Sequence, residues 1–171
     1  MTRNDGAASA TFDPVAPLCA DLAAAYDGAP WHGPSFRSLL DGWSAGDAAA
    51  RPVAGAHSAW EIVLHVTAWM AAGAQRLDAR TYVAPPEDWP ALPSPADASA
   101  WAATLRALDD AYHALATRVG ALTAIDLDGP IAGTPAGARG ATVAGFVSEL
   151  TQHLAYHGGQ IALLRRALGA A

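Results

Sequence analysis

Lysine is missing from this chain of 171 residues, whose ten basic side chains are all Arg. Its absence excludes Schiff-base catalysis and the lysine of a phosphate-binding loop. Basic charge is scarce as well. Sixteen acidic residues leave a formal charge of −6, which offers no surface for docking a phosphate backbone, so nucleic acid is not an expected partner. Cysteine occurs once, as Cys19, so no intrachain disulfide can form, and a reducing, cytoplasmic compartment is expected. The first residues carry no signal-like apolar run, and no stretch approaches the ~20 uncharged apolar residues that cross a bilayer. A soluble protein with no membrane partner is expected. Glutamate is limited to Glu61, Glu87 and Glu149. That is too few for a di-iron carboxylate bundle, which needs four Glu and two Glu-x-x-His pairs. No His-Glu-x-x-His helix is present, which removes the common zinc protease site.

What the chain does have is apolar content: 52% hydrophobic residues against 15% charged, enough to bury a sizeable core in one domain. Residues 11–171 are expected to form that domain, and residues 1–10 to be disordered. Four helical segments separated by Gly- and Pro-rich stretches predict an all-α fold. In the third, Trp101, Leu105, Leu108, Tyr112, Leu115, Val119 and Leu122 recur at steps of three and four, the spacing of a bundle seam. The second starts at Ser58-Ala59-Trp60-Glu61, a capping box, and runs to about Asp78, with Ile62, His65, Val66, Trp69, Gly73 and Leu77 on its apolar stripe. The fourth runs from about Thr142 to Leu168 and faces Phe146, Leu150, His153, Leu154, His157, Ile161 and Leu164 inward. A first helix around Leu18, Leu22 and Tyr26 is expected to break at Gly28 and Pro30 and to continue as Ser35 to Trp43. The link from Arg80 to Pro95 contains five prolines, is expected to be extended, and could cross the end of the bundle.

His153 and His157 lie one turn apart and about 40° apart around a helix axis, so both imidazoles can reach one metal ion. An unpaired polar group in a core costs roughly 1–3 kcal/mol, so two adjacent core histidines call for a partner. His65 adds a third imidazole from another helix. Three neutral nitrogen ligands suit Zn²⁺, and also Ni²⁺ or Fe²⁺, and leave positions open for water or substrate. The alternative for each ring is a core histidine bonded to a backbone carbonyl or carboxylate. Because the ligands must be neutral, metal affinity is expected to fall as pH drops through about 6.5 and below.

Glu61 and Glu149 each precede a candidate ligand by four residues and could orient an imidazole or act as a base, or could be structural. Glu61 is already explained by its cap. Gln160 returns to the face of His153 and can bond a ligand or a bound water. Trp31 and His32 in one loop and His57 in another can line a pocket, as can Trp69 and Tyr156, although most aromatic stripes are core. His113 follows Asp109 by four residues, and a solvated ion pair is its expected role.

With His65 on the second helix and His153-Leu-Ala-Tyr-His157-Gly-Gly-Gln160-Ile on the fourth, the sequence resembles the DinB/YfiT-like family, whose members are regarded as metalloenzymes. The segments Trp31-His-Gly-Pro-Ser35 and His57-Ser-Ala-Trp-Glu61 resemble one branch of it. The resemblance covers about Leu18 to Leu168. It implies a four-helix bundle in up-down-down-up order, a long connection between the second and third helices, and a centre of His65, His153 and His157 binding Zn or Ni. It also implies homodimers and, from characterised relatives, transferases and an isomerase using small bacterial thiols, with other members called metal-dependent hydrolases. The expectation is therefore an enzyme that ionises a low-molecular-weight thiol cosubstrate or a water at the metal and acts on a small molecule. A metal-binding or stress-response bundle without catalysis is the competing reading.

Overall fold

The computed structural model describes residues 12–135 and 137–169. The expected disorder of residues 1–10 lies outside the described residues. The architecture is all-α: α1 (Val15–Tyr26), α2 (Ala45–Ala49), α3 (Ala59–Ala79), α4 (Ala98–Gly120), α5 (Ala124–Leu127) and α6 (Val143–Ala167), with isolated bridges at Thr81–Ala132 and Pro130–Thr142 and no strand among the described residues. None of these helices is long and apolar enough to cross a membrane.

Each helix of the bundle starts where a side chain can satisfy the first free N–H groups. Ser58 accepts from Glu61 N at 3.2 Å while Glu61 accepts from Ser58 N at 2.8 Å, completing the capping box of α3. Asp97 accepts from Ala100 N at 2.9 Å for α4, and Thr142 from Gly145 N at 3.2 Å for α6. The seam of α4 is the one its periodicity implies, with Trp101, Leu108, Tyr112, Leu115 and Val119 buried and Leu105 and Leu122 half-buried against them. Side chains of this size each stabilise by about 1.5–3 kcal/mol when withdrawn from water. This face packs on α3: the Trp60 indole donates to Thr104 at 2.9 Å near the start of both helices, and Arg118 pairs with Asp78 at 2.7 Å near both ends. The two helices therefore run parallel, and a long return connection is obligatory.

The first helix does not resume after its break. Ser35 to Trp43 forms turns around a single 3₁₀ stretch, Ser38–Leu40, and the short α2 follows. The physical reason lies in its hydrogen bonding. The amides of Phe36 and Arg37 donate to Ala25 and Tyr26 carbonyls at 2.9 and 2.7 Å, so the segment caps the end of α1 instead of extending it. The loop from Gly120 to Ala141 also holds α5, which starts at a Thr123–Asp126 capping box. Asp109 does not take up His113. It accepts from the Tyr26 hydroxyl and pairs with Arg37 at 3.0 Å, both from the neighbouring N-terminal region, which leaves His113 exposed.

Residues 80–97 do more than cross the end of the bundle. Val83 O accepts from Arg76 Nε at 2.6 Å, and Asp88 Oδ1 accepts from the Trp69 indole at 2.7 Å. The connection thus runs back along α3, from its C-terminal end toward its start. On its way it passes over His65.

Candidate metal centre

α3 and α6 meet where residue 73 has no side chain. A Cβ on Gly73 would lie 2.9 Å from Leu150 Cδ1 and 3.5 Å from Phe146 Cζ, so glycine permits this close approach. One and two turns further along, His65 from α3 faces His153 and His157 from α6. Their Nε2 atoms converge: His65 to His153 at 3.0 Å and His157 to His153 at 3.0 Å. The group is the metal-ligand cluster found among the described residues, with His65 and His157 buried and His153 half-buried.

The other ring nitrogens decide what those Nε2 atoms offer. His65 Nδ1 donates to the Asp88 carbonyl at 2.6 Å, and His157 Nδ1 donates to Gln160 Oε1 at 2.7 Å. In a neutral ring, a protonated Nδ1 leaves Nε2 as a bare lone pair. His153 Nε2 therefore faces two acceptors and can donate to only one of them. Three such nitrogens within reach of one point satisfy each other poorly but satisfy a cation well. Ligands about 2.0–2.1 Å from a shared Zn²⁺ lie roughly 3 Å apart when their bonds diverge by 90–110°, which matches the observed spacing. These three residues can hold a divalent metal.

Electrostatics supports the neutral state this needs. Burial pushes the His153 pKa down to about 4, with the neighbouring His157 and His65 rings adding to the shift. Burial also lowers the His157 pKa, against the opposing effect of the hydrogen bond it donates to Gln160. For His153 and His157 the protonation expected of unperturbed imidazoles, near pH 6.5, therefore moves lower.

Trp89 lies over the site. Its indole stacks on His65, with centroids 4.0 Å apart, and on His57 at 3.6 Å, and meets His157 edge-on at 6.1 Å. His57 thus reaches the site through Trp89 and not as a ligand; its Nδ1 is buried without a hydrogen bond, 3.8 Å from Glu61 Oε1. Glu61 is engaged by its own capping box and by Arg51. Burial raises its carboxyl pKa, but the Ser58 amide and Arg51 outweigh this, so the net shift is downward.

A cleft of about 370 Å³ opens beside the triad, lined by His65, Trp69, Arg76, Asp88, Phe146, Glu149, Leu150 and His153. Glu149 borders it while accepting from Gly140 N at 2.9 Å, not from the His153 ring. Tyr156 is largely exposed, with its ring 5.0 Å from that of His157. Trp31 and His32 are not brought to the triad: they line a separate cavity of about 1100 Å³ between α1 and α6. Pro30 and Pro34 of the same loop also line it, and Trp31 is 97% exposed there.

Asp88, Trp89 and Arg76 are site residues that the helical periodicity does not reveal. Asp88 and Trp89 lie in an aperiodic stretch with no helical face to read. Arg76 did carry a signal, a charge set beside Gly73 and Leu77 on an apolar stripe.

A family model described as the DinB superfamily matches residues 31–161, well over half of the chain. The chain belongs to the DinB superfamily. No curated protein and no solved structure matches it. In this DinB-superfamily chain the matched span takes in all three histidines of the cluster, as well as Asp88, Trp89, Glu149 and Gln160.

Proposed function

We propose that this DinB-superfamily chain is a metal-dependent enzyme in which His65, His153 and His157 hold Zn or Ni and a small thiol is the cosubstrate, giving an S-transferase. The observation that carries this reading is three convergent Nε2 atoms beside an open cleft, with no fourth His, Cys, Asp or Glu side chain completing the cluster among the described residues. A divalent cation with free coordination positions supplies a nucleophile near neutral pH by lowering the pKa of a thiol or water within reach.

The chain's own residues prepare that event. Asp88 and Gln160 lock the tautomers of His65 and His157, which keeps both Nε2 lone pairs directed inward. Trp69 and Trp89 wall the site with apolar rings. Glu149 borders the cleft with Oε1 held by the Gly140 amide, which leaves Oε2 without a donor of its own. That carboxylate favours a second reading, hydrolysis, in which Glu149 serves as base toward water. A homodimer in the cytoplasm belongs to the same proposal through the family resemblance.

Incubating metal-loaded protein with a panel of low-molecular-weight thiols and electrophiles, followed by mass spectrometry, tests the choice. Thiol conjugates support S-transfer. Thiol-independent cleavage products support hydrolysis, and neither product leaves a non-catalytic metal-binding bundle.

A further inference from the structure

Arg76 is 6% exposed and is surrounded by aromatic rings: its guanidinium carbon lies 5.1 Å from the Trp69 centroid, 4.1 Å from Tyr82 and 5.0 Å from Phe146. Arg37, Arg51, Arg80 and Arg118 each pair with a carboxylate, whereas Arg76 makes no ion pair among the described residues. Its Nε donates to the Val83 carbonyl and Nη2 is buried with no hydrogen-bond partner among the described residues; burial lowers its pKa, against the nearby Tyr82 hydroxyl and Glu149 carboxylate. An unpaired charge withdrawn from water is costly. Its presence needs a reason, and its position supplies one. Arg76 lines the same cleft as His65 and His153. Trp69 bridges the two, its ring 5.1 Å from the guanidinium carbon and 6.2 Å from the ring centroids of both His65 and His153.

We propose that Arg76 is the anion-holding residue of this cleft, and that the substrate is a small carboxylate whose acid group pairs with Arg76 while its reacting end lies at the histidine triad. This deepens the reading given above and rests on the triad being the site. With Nε bonded to Val83 and Nη2 fully buried, Nη1 is the guanidinium nitrogen left to a ligand. A carboxylate oxygen accepts from it in a charge-assisted N–H···O bond. The cleft volume of about 370 Å³ lies in the range of sites for small organic ligands. Asp88 and Glu149 also border it and repel an anion, but Asp88 is turned to the Trp69 indole and Glu149 to Gly140 N. With a divalent cation in the triad, the side chains lining the cleft carry net positive charge.

The test uses tryptophan fluorescence of the full-length protein, with and without bound metal, titrated with succinate, benzoate, their amides and inorganic phosphate. Because Trp69 touches the guanidinium, the acids are expected to give a saturable change. Arg76→Met is expected to weaken the acids by at least about tenfold and Arg76→Lys by less, because the charge is kept. Metal content and thermal midpoint, measured on the same samples, separate the outcomes. Loss of metal from Arg76→Met would mean that the residue serves the triad instead. Equal binding of acids and amides, equal binding to wild type and Arg76→Met, or phosphate binding tighter than both acids would overturn the proposal. Because the metal-free protein is titrated too, acid binding that survives without metal supports Arg76 even if the thiol chemistry fails.

Discussion

Trp89 lies flat against His65, ring centroids 4.0 Å apart and planes 12° from parallel. The indole comes from a connection with no regular structure, yet the residue beside it, Asp88, supplies the carbonyl that fixes the His65 tautomer. The long return path between two parallel helices thus doubles as the support of the candidate metal ligand.

Trp89→Ala is therefore expected to weaken metal binding although Trp89 is not a ligand. Partners that orient ligands typically cost 10–100-fold in affinity when removed, and a loss of about tenfold or more is expected here. Competition against a chromophoric chelator measures it. An unchanged affinity would mean that α3 and the Asp88 carbonyl hold His65 without Trp89.

Protonation gives a second expectation. The folded pKa of His153, about 4, lies below the unfolded value of 6.5, so the unfolded chain binds the proton more readily. The stability of the metal-free protein should be complete above about pH 6.5 and should decline as pH falls toward about 4. Urea midpoints at intervals across that range, compared between wild type and His153→Ala, isolate this contribution. The variant should show the shallower decline, and parallel curves would contradict it.

The cap of α3 gives a third. Ser58 is fully buried and accepts from Glu61 N. Ser58→Ala is expected to destabilise by about 1 kcal/mol or somewhat more, which lowers the thermal midpoint by roughly 2–4 °C in a chain of this size. Calorimetry on the metal-free protein checks it, and an unchanged midpoint would show that Glu61 and Arg51 hold the helix start without Ser58.

The parts that were legible in the sequence are those governed by period and by local hydrogen bonding. The seam from Trp101 to Val119, the Ser58–Glu61 box and the inward placement of His65, His153 and His157 all follow from residues three or four apart. What was not legible depends on contacts between distant segments. Phe36 and Arg37 cap α1 across a turn, which no helical period encodes, so a continued helix was expected there. Asp109 chose Tyr26 and Arg37 over His113 because the neighbouring helix brought better partners than its own face. Trp31 and His32 are close to the histidine motifs only in resemblance, and the fold sends them to another cavity. Asp88 and Trp89 gain their meaning only once the connection lies along α3.

The central claim is tested most directly by metal content. Wild type purified without added chelator and analysed by emission spectroscopy should carry close to one divalent metal per chain. His65→Ala, His153→Ala and His157→Ala should each lose it, while His113→Ala, exposed on α4, should retain both the metal and the fold. Equal metal in wild type and the three triad variants would contradict the account, as would loss of metal from His113→Ala.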